Sequence, residues 1–193
     1  MITQRYLIVA IVLLLFADLA SACSCIPQSL TDQLDRSDLV MIVRVTSTRF
    51  DPESALMPKS HAAVHAGFDL VESLKGNAAG VSEVHSGFGD GDCGVELLAG
   101  RYYLVIADRV SSSVELDFCS ASSQLRGFGP IPGEDKFQFR LDAIRAHIAA
   151  NKPIDSCFDY AEYRPPSPAP PAKDRCMELE LRLLEQARKK VAK

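Results

Sequence analysis

Six cysteines placed behind an apolar leader constrain this 193-residue chain more than any other feature. In a reducing compartment, Cys23, Cys25, Cys93, Cys119, Cys157 and Cys176 would read as metal ligands or redox centres; in an exported protein they read as three disulfides. The first 22 residues decide between these contexts. Arg5 supplies a positive start, residues 6–16 are an apolar run, and Ala20-Ser21-Ala22 has the small-x-small pattern of a cleavage site. Residues 1–22 are therefore expected to be a signal peptide, and the mature chain to be secreted to the periplasm or the exterior with its thiols oxidised. The apolar run is too short for a bilayer span. A bacterial lipoprotein also matures with cysteine first, but Ala20 stands where that motif normally carries a leucine-like residue. Lipidation would consume the Cys23 sulfur and exclude a disulfide there.

The size fits one domain with a small appendage. A net charge of −4, from 21 basic and 25 acidic residues, argues against a nucleic-acid partner. Along the mature chain, Ser29-x-x-Asp32 offers a capping box for about two helical turns over 30–36. Residues 38–50 are rich in β-branched side chains and long enough to bend, as a strand turning a barrel corner does. Residues 51–61, with Pro52 and Pro58, predict a loop. Further strands are expected over 62–74, 81–86, 101–108 and 113–119, with turn chemistry at Lys75-Gly76-Asn77 and a glycine-rich loop over 87–94. Five irregular strands with the long helices held back to the end predict a mainly β fold, a small closed five-stranded barrel.

An amphipathic helix follows over 134–151, where Phe137, Leu141, Ile144 and Ile148 recur at helical spacing. Residues 153–173 form a linker, stiffened by five prolines within 165–171. Asp174 is expected to cap a last helix to residue 193, in which Glu178, Glu180 and Glu185 precede Arg188, Lys189, Lys190 and Lys193, the order the helix dipole favours. Its apolar residues Met177, Leu181, Leu184 and Val191 fit one face. The domain plan is thus signal peptide 1–22, barrel domain 23–152, linker 153–173 and terminal helix 174–193. Cys157 and Cys176 flank the proline segment, so a bond between them would tie the last helix back to the barrel. Six cysteines nonetheless allow fifteen connectivities, among which spacing does not choose.

At this point the residues resemble a family: the netrin-like domain of the tissue inhibitors of metalloproteinases and their bacterial relatives. The matching segments are Cys23-Ser24-Cys25-Ile26-Pro27 after the cleavage site, Ser37-Asp38-Leu39-Val40, and Leu74-Lys75-Gly76. Further on come Cys93-Gly94, the run Gly100-Arg101-Tyr102-Tyr103-Leu104-Val105, Cys119-Ser120 and Ser123-Gln124-Leu125, all in the family's order. The resemblance implies a five-stranded barrel of the oligonucleotide/oligosaccharide-binding type. It also implies the bonds Cys23–Cys93 and Cys25–Cys119, which leave Cys157 with Cys176. In the chain-entropy picture, closing the roughly 70-residue loop from Cys23 to Cys93 stabilises by about 4 kcal/mol.

The function implied is inhibition of a zinc metalloendopeptidase. A catalytic zinc keeps one exchangeable position, which a rigid donor can block. By resemblance, the α-amine and carbonyl of Cys23 chelate that zinc, and an amine with a pKa of about 8 yields its proton readily. Ser24 enters the specificity pocket, Cys25, Ile26 and Pro27 run along the cleft, and Gly91 and Asp92 line its other side. The partner implied is the protease; the chain is expected to be a monomer, not an enzyme, with no cofactor of its own. Two departures stand out: the third cysteine of the animal inhibitors is absent, with Asp35 near its place, and their cysteine-dense carboxy-terminal subdomain is replaced by the linker and helix. Netrin-like barrels elsewhere are plain binding modules, so a non-inhibitory extracellular binding or structural role, anchored by lipid at Cys23 or free, is the alternative.

Other patterns carry less. His61-x-x-x-His65 has same-face spacing for a metal but lacks a third ligand. Gly87-x-Gly89-x-Gly91 is followed by no helix to hold a phosphate. Asp90 and Asp92 do not fill the coordination shell of calcium. No serine or cysteine nucleophile motif is present.

Overall fold

The computed structural model describes residues 28–52, 63–89, 93–108, 111–117, 119–125, 136–155 and 157, with scattered helical positions between 176 and 189. Residues 1–27, with the expected signal peptide and the Cys23–Pro27 segment, most of the expected 51–61 loop and most of the expected proline linker lie outside these residues. The elements in chain order are α1 (Leu30–Arg36), β1 (Leu39–Phe50), β2 (Val64–Lys75), a single 3-10 turn (Ala78–Gly80), β3 (Glu83–Ser86), β4 (Tyr102–Ala107), β5 (Ser113–Leu116), β6 (Ser123–Gln124) and α2 (Lys136–Ala150). The fold is mainly β, as the strand pattern predicts.

The expected helix over 30–36 forms, and its cap is Ser29, whose hydroxyl accepts from the Asp32 amide at 3.0 Å. At its far end Lys75 Nζ donates to the carbonyls of Leu34 (2.7 Å) and Asp35 (3.0 Å), covering acceptors that the helix terminus leaves open. β1 then runs twelve residues, with register shifts against β2 at Val40/Met41, Ile42/Val43 and Val45/Ser47. These bulges bend it, as its length anticipates. Helix α2 ends where Asn151 adopts a left-handed conformation, φ 49°, and donates to the His147 carbonyl at 2.7 Å.

The six strands form one curled sheet in the order β5-β3-β2-β1-β4-β6, antiparallel except for the parallel β3–β5 pair. This corrects the expected closed five-stranded barrel. Closure would require β5 to pair with β4, and the groups of β4 that face that way are already taken. Leu125 N–H donates to the Tyr102 carbonyl (2.8 Å), Leu104 pairs with Ser123, and the Ser122 hydroxyl both accepts from Ile106 N–H (2.9 Å) and donates to its carbonyl (3.2 Å). Residues 122–125 thus occupy the edge a barrel needs, and the sheet stays a half-barrel with β5 lying near β4.

Two cores result, one on each face. Inside the curl, Leu39, Met41, Val43 and Val45 of β1 pack with Tyr103 and Val105 of β4, Val84 of β3, and Val114 and Leu116 of β5. Outside it, Val40, Ile42, Leu104 and Ile106 are covered by Leu30 and Leu34 of α1 and by Leu141 and Ile144 of α2. Leu39–Val43 of β1 and Tyr103–Ala107 of β4 are therefore buried on both faces, which explains why these stretches read as unbroken apolar runs and not as alternation.

Candidate functional site

The glycine-rich loop leaves β3 and returns beside β5. Gly87 and Gly94 pinch its two ends together: a Cβ on Gly94 would lie 2.3 Å from Gly87 Cα, a contact only glycine permits. Cys93 sits in the left-handed region at φ 62°, and Gly94 bridges to Asp117. That bridge brings the chain at Cys93 alongside the chain approaching Cys119. Both cysteines are disulfide-bonded. The third expected bond is present outright, Cys157 to Cys176 with Cα atoms 5.3 Å apart. The partner assignments expected for Cys93 and Cys119 fall on Cys23 and Cys25, outside the described residues, as do Ser24, Ile26, Pro27, Gly91 and Asp92. What is described is the frame that flanks them, Gln28 on one side and Gly87–Gly89 with Cys93 on the other.

Ser86 holds this frame from within. Fully buried at the end of β3, its hydroxyl donates to the Leu116 carbonyl (2.5 Å) and accepts from Val95 N–H (2.6 Å). Tyr103, also fully buried, fixes the next stretch by donating to the Glu96 carbonyl (2.9 Å) and accepting from Leu98 N–H (2.8 Å). Burial pushes its phenol above the ordinary range.

A cleft of about 750 Å³ opens along the unclosed side of the sheet. Gln28, Gln33, His85, Asp108, Glu115 and Cys119 are among its walls, and with Asp117 its lining among the described residues has three carboxylates and neither lysine nor arginine. Gln33 is buried and accepts from Ala121 N–H through Oε1 at 2.5 Å, joining α1 to the Cys119 turn. Sequence reading passed over Gln33; its only signal is a polar residue on the buried face of α1, between Leu30 and Leu34. Ser122 and His85 were missed too, and neither carries a local sequence signal.

Beside the cleft lies a charged cluster. His65 Nδ1 is 2.8 Å from Glu83 Oε2 and its Nε2 is 3.7 Å from Asp51 Oδ2, while Arg49 reaches the other Glu83 oxygen at 2.9 Å. Burial raises the Glu83 carboxyl, but the hydrogen bonds from His65 and Arg49 outweigh it and leave the group below its usual value. His61 lies outside the described residues, and among those described no group of three or more His, Cys, Asp or Glu is arranged to hold a metal ion. Also among them, no helix is long and apolar enough to cross a membrane.

The motif segments Ser37-Asp38-Leu39-Val40 and Leu74-Lys75-Gly76 meet in space. Gly76 has φ +74°, and a Cβ there would stand 2.1 Å from the Asp38 carbonyl oxygen. Ser37 is buried and donates its hydroxyl to the Leu34 carbonyl at 2.9 Å. These residues build the α1–β1–β2 junction. Against known proteins, the chain matches no family model and has no significant match among curated proteins.

Proposed function

We propose that this chain is a secreted inhibitor of zinc metalloendopeptidases on a netrin-like frame, acting through the α-amine and carbonyl of Cys23. Ser24 is the group offered to the specificity pocket. Cys25, Ile26 and Pro27 follow along the cleft of the protease, faced by Gly91 and Asp92. The observation that carries the reading is the division of the cysteines. Cys157 and Cys176 bond to each other, while Cys93 and Cys119, which neighbour the two ends of the Gly94–Asp117 bridge in sequence, are each engaged in a disulfide. Two bonds from that place to an amino terminus that begins at Cys23 would convert a frayed end into a rigid edge, which is what a chelating wedge requires.

The sheet order supports the same frame. β5-β3-β2-β1-β4, with β3 and β5 parallel, is the order left when a five-stranded barrel of the oligonucleotide/oligosaccharide-binding type is parted between β4 and β5. Near the place of the cysteine missing relative to the animal inhibitors, Asp35 takes a different tie: its carboxylate lies 2.9 Å from His147 Nε2 and so joins α1 to α2. The acidic cleft favours the second reading, a binding module that engages a partner without touching zinc.

The deciding experiment places one extra alanine before Cys23 of the mature protein, with inhibition of a panel of zinc metalloendopeptidases as readout. Micromolar or better inhibition by the native terminus, abolished by the added residue with the fold intact, is the expected result. Inhibition that survives the extension, or none at micromolar protein, rejects the chelating wedge; the second of these outcomes favours the binding module.

A further inference from the structure

Strand β3 is held by three register pairs to β2 and four to β5. The middle pair to β2 is His65↔His85, with ring centroids 5.6 Å apart. Two nitrogens of this pair, His65 Nε2 and His85 Nδ1, are buried without a hydrogen-bond partner. Buried polar atoms of this kind are rare and call for a reason.

The two rings differ in their surroundings. His65 lies between the carboxylates of Glu83 and Asp51, so a positive charge on it is compensated. His85 faces His65 from β2, Glu83 on its own strand and its register partner Glu115 on β5. Arg49 of β1 stands behind Glu83, and Asp108 and Asp117 share the cleft with His85. A neutral His85 with its proton on Nε2 leaves Nδ1 a bare acceptor. Protonating Nδ1 would place a donor in a buried site with no acceptor, which the closed ladder must resist.

We propose that the His65–His85 pair is an acid-sensitive latch: neutral His85 keeps the β2–β3–β5 ladder closed, and its protonation parts the ladder and loosens the contacts of Ser86 with Val95 and of Gly87 with Gly94. Burial, the largest influence, holds the His85 imidazole below its ordinary value of 6.5; Glu115 opposes this and His65 adds to it. Because the closed state keeps His85 neutral and the opened state takes up the proton, the ladder is at full strength above pH 6.5 and weakens as pH falls below it. The effect reaches the loop because Ser86, one residue on, is the hydroxyl joining β5 to Val95, and Gly87 is pinched against Gly94.

The test is amide hydrogen exchange of the mature, disulfide-intact protein at pH 7.5 and 5.5, corrected for intrinsic exchange. The expected result is that β3 and β5 amides lose about tenfold in protection relative to β1 and β4 at the lower pH, the equivalent of one pKa unit, and that His85→Phe removes this loss. Protection in β3 and β5 that follows β1 and β4 at both pH values overturns the latch, as does an unchanged response in His85→Phe. If that variant does not fold, the wild-type ring decides by NMR: a His85 midpoint below 6.5 coincident with shifts of β3 amides supports the latch, and a midpoint at or above 6.5 overturns it.

Discussion

The two flanks of the sheet meet the same difficulty, unpaired backbone at an edge, in opposite ways. On the β1–β4 flank Leu39–Val43 and Tyr103–Ala107 are buried on both faces, and along the outer edge of β4 the Tyr102 carbonyl, Leu104 and Ile106 are partnered by residues 122–125. On the β3–β5 flank the strands are four residues each, and the β5 edge is covered locally, with Ser111 Oγ bonded to both the amide and the carbonyl of Ser113. Its outer face carries histidines and carboxylates where the outer face of β1 and β4 carries aliphatic side chains. Apolar burial is indifferent to pH, whereas hydroxyl bridges and imidazoles make stability conditional. The conditional flank adjoins Cys93 and Cys119, so the proposed inhibitory edge rests on the more adjustable half of the molecule.

Changes at the firm flank should cost most. Gly76→Ala forces a left-handed alanine into the Asp38 carbonyl, and is expected to lose about 3 kcal/mol in urea unfolding, from backbone strain plus overpacking. A loss under about 1 kcal/mol would mean that the α1–β1–β2 junction yields. Next come two buried serines, one on each flank. Ser122→Ala strips the only side-chain cover from the Ile106 amide and carbonyl, and Ser86→Ala does the same to Val95 N–H; each is expected to cost about 2 kcal/mol. Their reach should differ: hydrogen exchange should rise across β4 and α1 in the first, and only in β3 and residues 87–98 in the second. Identical exchange patterns would erase the distinction between the flanks.

The smallest effect is expected at the tie between α2 and β2. Arg145 grips Glu72 through Nε (3.1 Å) and Nη2 (2.6 Å), and this hydrogen bonding lowers the Glu72 carboxyl below its ordinary 4.5 and raises the Arg145 guanidinium. Both side chains are about one-third exposed, so Glu72→Gln should cost under about 1 kcal/mol. A depressed carboxylate stabilises above its unfolded pKa and stops doing so as pH falls through its folded one. The difference between wild type and Glu72→Gln should therefore be full at pH 6 and vanish well below pH 4.5.

Local chemistry was legible. Ser29 capping α1, glycine at 76 in a left-handed turn, the bulged β1 strand and the α2 stripe of Leu141 and Ile144 all follow from residue type and spacing. The terminal helix is legible only in part: positions between 176 and 189 are helical, Glu178–Arg182 and Glu185–Lys189 pair along it, and Leu181 of its apolar face is 60% exposed. The failure lay in closure. Serines at 122 and 123 look like loop residues, and nothing local says that the Ser122 hydroxyl will satisfy both polar groups of Ile106 and that the Ser123 backbone will pair with Leu104 of β4.

The six cysteines, the leader ahead of them and the apolar runs by themselves determined a mainly β chain expected to be exported and cross-linked, because thiol chemistry and hydrophobic period act residue by residue. Which edge of β4 is filled, that the sheet stays open beside an acidic cleft, and that His65 meets His85 were decided only in three dimensions. Competition for a strand edge, and the burial of a ring nitrogen away from any acceptor, depend on residues 16 to 20 positions apart that no spacing rule connects.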